Sequence, residues 1–300
     1  MRSSQPDDQP RDPIPHTAAL GFTGDEDAGW IRIGQSTAVR FRLLRSLVEL
    51  EQAEQLQLEV FGVSERDLVP ANELIVVAET GGAVFGAFLP EHPDRAAGVL
   101  VGWGGFVAGR PRIVSDFLAV RAEARNLGLA ANLKWLQAAL ALERGFVEVV
   151  WTVDPLRAAN ARLNFGKLGA IADHYEIDRY GAGYATGLYG GMPSDRLHVT
   201  WQIASAEVTA RLHGATLSGR QEPGITEPYR PGTASGAVLL PIPPDIDALL
   251  ATEPAEALAW RLRLRQALLA AFAEGFVITD FRSGSNVDNP AYLLERTKRG

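Results

Sequence analysis

The sequence predicts a mixed α+β protein, and three observations carry that expectation. Residues 113–120, Ile-Val-Ser-Asp-Phe-Leu-Ala-Val, form the apolar, β-branched run of a buried strand. A polar turn follows, and Gly128 opens a stretch to Leu142 with Leu129, Leu133, Leu136 and Leu140 at helical steps. Residues 146–153 then repeat the strand pattern and 155–168 a second helical one. A strand that turns directly into a helix aims several free N–H groups and the positive end of the helix dipole at one point. Such a point suits an anion, above all a phosphate. Small residues at 128 and 130 let a ligand approach the backbone.

The remaining elements are taken in chain order. Residues 1–35 are rich in Pro, Asp, Gly and Ser and lack periodicity, which predicts a mostly disordered lead-in. Residues 38–44 alternate as a strand. Leu47, Leu50, Ala53, Leu56 and Val60 keep a helical period that Gly62 stops. Residues 73–79 read as a strand, Gly81-Gly82 as a tight turn, 83–89 as the paired strand, and 99–107 as its continuation. Two closing strands, 173–179 and 196–203, flank a Gly- and Tyr-rich loop at 180–194. A loop at 214–236, full of Gly, Pro, Ser and Thr, introduces an extension. In it 236–242, 275–281 and 291–295 are strand-like, and a helix runs from Glu253-Pro254 to about Phe272. The expected division is a lead-in at 1–35, a main domain at 36–205, and a small α+β cap at 206–300.

Two motifs give this layout a family. Arg125-x-x-Gly128-x-Ala130, at the strand–helix junction, resembles the pyrophosphate-binding motif R/Q-x-x-G-x-G/A of the GNAT N-acyltransferase superfamily. Asn160-Ala-Arg-Leu-Asn-Phe165-Gly-Lys167-Leu-Gly169-Ala170 resembles its second motif, N-x-x-A…Y-x-K-x-G-F. The order strand, helix, three antiparallel strands, helix, strand, helix, strand, strand matches that superfamily, over about residues 36–205. Trp151-Thr-x-Asp-Pro155, Tyr180-Gly181 and Met192-Pro-Ser-Asp195-Arg196 are similar to a bacterial branch with an extension of this length.

Bulk properties narrow the function. The chain has 300 residues, 46% hydrophobic and 22% charged, ordinary values for a globular protein. A net charge of −7 with no basic cluster argues against nucleic acid. With no cysteine there is neither disulfide nor thiolate nucleophile. No uncharged run approaches the ~20 residues of a membrane span, and the first residues lack an apolar signal core. The expected location is the cytoplasm, and no metal ligand set is visible: His174 and His198 read as sheet or surface residues.

The resemblance implies acyl transfer from an acyl-CoA thioester to an amine by direct attack in a ternary complex. Acetyl is the family default, and succinyl fits if an Arg lines the acyl pocket. The expected acceptor is a small amine or amino acid, and a homodimer is compatible with this reading. The cofactor-binding set is Leu118 and Val120 on the strand, Arg125, Asn126, Leu127, Gly128, Leu129 and Ala130 at the turn, and Asn160. For Asn160 a buried polar contact is the alternative. The thioester is expected where strands 113–120 and 146–153 splay apart.

Catalysis needs a base, an oxyanion stabiliser and a proton for the thiolate. Asp116, a carboxylate inside a core strand, is the candidate base or amine anchor, with a salt bridge to an Arg as its alternative. Where many family members place a tyrosine acid, this chain has Phe165, which has no proton to give. Tyr180, Tyr184 and Tyr189 are replacements, Tyr180 the favoured one. Asp195 and Arg196 are candidates for the acceptor's carboxylate, or for a turn with an internal ion pair. Asp154 is expected to cap a helix. Arg261, Arg263 and Arg265 are expected on a solvated face, or as a patch for an anionic group. A non-catalytic acyl-CoA-binding or regulatory module is the rival function, and a protein for some other phosphate ligand a third.

Overall fold

A computed structural model of the chain describes residues 17–33, 37–65, 67–181, 189–212, 227–232, 236–283 and 289–296. Tyr184 and most of the loop at 214–236 lie outside them. The strands form one sheet in the order β1-β2-β3-β4-β5-β6-β7-β9-β8-β12-β13-β11-β10. They are β1 Thr23–Asp25, β2 Gly29–Ile33, β3 Ala38–Leu43, β4 Ala83–Leu89, β5 His92–Val107, β6 Arg110–Val120 and β7 Val149–Val153. Then come β8 Ile171–Glu176, β9 Arg196–Trp201, β10 Glu227–Pro228, β11 Val238–Pro241, β12 Phe276–Arg282 and β13 Ala291–Arg296. Pairing is antiparallel except for β6 with β7 and β10 with β11, so the fold is mixed α+β with a mostly antiparallel sheet.

Helices cover both faces. Helix α1, Leu47–Phe61, begins with a capping box between Ser46 and Glu49 and ends at Gly62, whose φ of 58° is left-handed. Helix α2, Ala71–Glu79, replaces the strand expected at 73–79. The run Leu-Ile-Val-Val is β-branched, but Ala71, Leu74 and Val77 are buried at i, i+3, i+6 and settle it as one face of a helix. Gly81-Gly82 therefore links a helix to β4 and is no hairpin turn; a Cβ on Gly82 would lie 2.3 Å from the Gly102 carbonyl oxygen. Leu50, Leu56, Leu74 and Val77 pack with Val84, Val99, Val101 and Ala119 on one face of β4–β6. On the other face α3, Leu129–Glu143, packs Leu133, Leu136 and Leu140 against Phe85, Leu100, Ile113 and Trp151.

With β3, α1, α2, β4–β6, α3, β7, α4, β8 and β9 in that sequence, residues 38–201 follow the expected order of elements with one helix more after the first strand. Helix α4, Ala158–Ala161, runs on as a π-helical stretch over Arg162–Lys167, where the Leu168 N–H reaches back to the Leu163 carbonyl.

The two ends of the chain depart from expectation. Within the supposed lead-in, β1 and β2 form a hairpin that joins the sheet through β3, and Phe22 and Trp30 are buried. Phe22 meets Phe41 edge-on at 5.5 Å. The short Trp-Ile-Arg-Ile alternation is masked in the sequence by the Gly- and Asp-rich residues before it. Beyond residue 205 lie α5 (Ala206–Leu212), α6 (Ile246–Thr252) and α7 (Pro254–Ala273). Instead of a cap laid on the main domain, β12 pairs with β8 at Ile278↔Ala172 and prolongs the same sheet. A single hydrophobic cluster runs through this junction, with Phe165 edge-on to Tyr292 at 5.6 Å.

Candidate functional site

The site starts from a defect in the sheet. Strands β6 and β7 run parallel but pair only at Ile113↔Val149 and Val114↔Val150. Both continue, β6 to Val120 and β7 to Val153, without further pairing, so they open like a fork towards their C-terminal ends. Each is held on its outer side, β6 by β5 through Gly98↔Val120 and β7 by β9 through Val153↔Leu197. Along residues 115–120 the β7-facing edge of β6 therefore has no strand partner among the described residues. Leu118 and Val120 lie on this free stretch, half-buried against the α3 side of the core. A bulge in the β5–β6 ladder between Leu100 and Gly102 falls beside Ser115 and Asp116. Arg121 pins the end of β6: its Nε donates to the Ala96 carbonyl at 2.8 Å and its Nη1 bonds Glu59 of α1.

At the mouth of the fork β6 enters a turn built for free amides. Asn126 (φ 71°) and Gly128 (φ 75°) are both left-handed, and Arg125 to Gly128 are all exposed. The first N–H returned to the backbone is that of Asn132, to the Gly128 carbonyl. Among the described residues, the N–H groups of residues 126–131 donate to no carbonyl or side chain. A Cβ on Gly128 would meet nothing within 4 Å, so the space over these amides is open. Gly128 is required for its φ as well as for the approach it allows. Helix α4 leaves the C-terminal end of β7 on the same edge of the sheet, which brings the exposed Asn160 to this side. Unpaired N–H donors, a helix N-terminus and open space come together there, the features that could hold a phosphate.

The other candidates divide into two groups. Asp116 reaches solvent, yet the groups around it desolvate its carboxylate and raise its pKa, while a hydrogen bond from Trp103 Nε1 at 3.2 Å opposes the shift. It has no Arg partner among the described residues. Asp116 is two residues on from Val114, which pairs with Val150, so it belongs to the sheet face that α1 and α2 cover over β4–β6. Thr152 and His198 pair with one another on that face. Arg196 lies with them at the end of β9, its guanidinium 4.9 Å from the Tyr180 ring and 5.4 Å from the Tyr189 ring.

Asp195 is tied to other groups of the fold. It is fully buried and accepts from Tyr175 Oη at 2.6 Å, from the Asp178 N–H at 3.0 Å, and from Arg265 Nε and Nη2 at 2.9 Å each. Its lone pairs are committed, so it holds α7 rather than a ligand. Asp154 likewise receives Arg261 through two bonds at 2.8 and 2.9 Å, besides the Leu156 N–H. Arg261 is 0% exposed, against the expected solvated face; Arg263 alone of the three is exposed, paired with Glu256. Residues 261 and 265 share a helix face and 263 points away. Phe165 is sealed in the core.

Two features were not visible in the sequence. His198 Nε2 lies 2.6 Å from Glu176 Oε2, a pair formed across β8 and β9 that no local spacing announces. Lys134 of α3 is buried at the vertex of the fork, its Nζ 2.8 Å from Ser115 Oγ and 3.7 Å from the centre of the Trp151 ring. Burial pushes its ammonium down to about 7. Among the described residues no group of His, Asp and Glu could hold a metal, and no helix is long and apolar enough to cross a membrane.

The class this geometry defines is a splayed-sheet α+β protein with unbonded backbone N–H groups at the splay. No protein-family model matches the chain, and no curated protein matches it. Solved structures similar to it include the ribosomal-protein-S18-alanine N-acetyltransferase from Escherichia coli (14% identity, 56% of this chain and 96% of that one, TM-score 0.44). Others are an acetyltransferase of the GNAT family from Streptococcus pneumoniae (16%, 54% and 97%, TM-score 0.43) and Arabidopsis thaliana Naa50 in complex with the bisubstrate analogue CoA-Ac-MVNAL (17%, 54% and 97%, TM-score 0.42). At TM-scores below 0.5, such likenesses assign neither substrate nor chemistry to this chain.

Proposed function

We propose that the chain is an acyl-CoA-dependent N-acyltransferase acting on a small amine or amino acid. One observation carries the reading: among the described residues of 38–201, the only parallel strand pair separates after two rungs and runs straight into the free amides before α3. A diphosphate on the N–H groups of Asn126 to Ala131 leaves an attached arm free to lie along the unpaired edge of β6, by Leu118 and Val120. Asn160 flanks it. The acceptor approaches from the α1–α2 face. There Asp116, with its raised pKa, takes the amine proton. Arg196, stacked on two tyrosine rings, offers its guanidinium to a carboxylate on the acceptor or on a succinyl donor. Tyr180, the expected acid, has its ring against the Arg196 guanidinium at 4.9 Å and helps to hold it.

The rival, a binding or regulatory module without turnover, draws on Phe165, which leaves the usual acid position without a hydroxyl. Incubation with acetyl-CoA or succinyl-CoA and a panel of amines separates the two by release of free thiol. Amine-dependent release supports transfer, with D116N expected to lose about tenfold or more. Binding of CoA with no release across the panel supports the module.

A further inference from the structure

Lys134 is the most unusual charge in the molecule. It is 3% exposed, on a helix whose other buried residues are Leu, Ala, Trp135 and Gln137. Three N–H donors face one hydrogen-bond acceptor among the described residues, Ser115 Oγ, and one aromatic ring, Trp151. Among those residues no carboxylate bonds it. A buried cation with so little compensation is a cost to the fold, and a methionine of similar volume would pack there more favourably.

Its position supplies a reason. Val114↔Val150 is the last rung that joins β6 to β7, and Ser115 and Trp151 are the next residue on each strand. Lys134 Nζ touches both, so it sits at the first open rung, beneath the place that acyl transfer would give the thioester. That is also where the chemistry lacks a group. Phe165 cannot protonate a leaving thiolate, and it is locked against Tyr292.

Resting on the acyl-transfer reading, we propose that the Ser115 hydroxyl, backed by the Lys134 ammonium, delivers the proton to the departing thiolate. The acceptor nitrogen bonds the acyl carbon, the C–S bond breaks, and the electron pair stays on sulfur. Sulfur takes the Ser115 proton, and Ser115 recovers one from Lys134. The nitrogen gives up its proton to Asp116, and solvent restores both ionisable groups between turnovers. An ammonium held down to about 7 gives up a proton readily near neutral pH, as this relay requires.

The test compares wild type, K134M and S115A on acetyl-CoA and on an acetyl thioester of a nitrothiophenol, whose thiolate leaves without help. We expect acetyl-CoA turnover to fall by about tenfold or more in both variants, with KM for the donor little changed. On the aryl ester both should run close to wild type, and K134M should melt at a higher temperature than wild type. Equal losses on both esters would make the pair structural and overturn the proposal, as would undiminished acetyl-CoA turnover. Wild type that releases no thiol from either ester overturns the acyl-transfer reading itself, a result separate from these.

Discussion

At the scale of single residues, Lys134 links stability to pH. In the unfolded chain its amine keeps its proton up to about 10.4, whereas burial lowers the folded value to about 7. Between those values the unfolded chain binds the extra proton, so stability rises with pH; below 7 both states are charged and the burial penalty is full. We expect K134M to exceed wild type in unfolding free energy by on the order of 4 kcal/mol at pH 6, and by progressively less towards pH 10. Denaturant titrations at several pH values check this, and a pH-independent difference would contradict it. Nothing in the sequence marks Lys134 as buried. The stripe Leu129, Leu133, Leu136, Leu140 leaves it on the flank of an amphipathic helix, but Ala131, Trp135 and Ala138 are buried too, and α3 is enclosed on nearly all sides. Gly128 was singled out by its small size at a strand–helix turn, and its left-handed φ of 75° is a further reason for glycine there that the sequence did not announce.

At the scale of elements, α7 fastens the far end of the chain to the strand ends beside the fork. Arg261 and Arg265 reach Asp154, just past β7, and Asp195, just before β9. Breaking a buried pair strands a charge. R261M should therefore cost about 3–5 kcal/mol, and the double variant R261M/D154L should recover much of that loss, as read by a double-mutant cycle in urea. Asp154 is fully buried, and although burial itself opposes ionisation, the Arg261 guanidinium beside it holds its carboxyl below the usual carboxylate range. The stability this provides is present above the unfolded carboxyl's pKa and is lost as pH falls through the lower folded value. A single R261M that costs nothing would contradict this role. These pairs join residues at least seventy positions apart, so their partners could not be read from spacing. Helix α2 was misread for a related reason: an apolar β-branched run fits strand and helix alike until its packing partners are known.

At the scale of the whole molecule, the sheet has no break at residue 205. Apart from α2, the order of elements from 38 to 201 was legible because its longer strands and helices are strongly periodic stretches. The joins at both ends were not, because β1, β2, β10 and β11 are two to five residues long and owe their existence to neighbouring strands. Truncation after Ser205 removes β12 from the β8 edge, Arg261 from Asp154 and Arg265 from Asp195. We expect residues 1–205 alone to be insoluble or to lack a cooperative transition, checked by expression and thermal melting. A fragment melting like the full chain would show that the extension is dispensable.

The fork and the amides at its mouth carry the proposed activity, and a calorimetric titration with CoA tests them most directly. Wild type should bind CoA. G128V, which forces a β-branched side chain into a φ of 75° and over the free N–H groups, should bind at least about tenfold more weakly, with its melting temperature recorded as the control for folding. A wild type that binds no CoA, or a folded G128V that binds it unchanged, would contradict the diphosphate cradle.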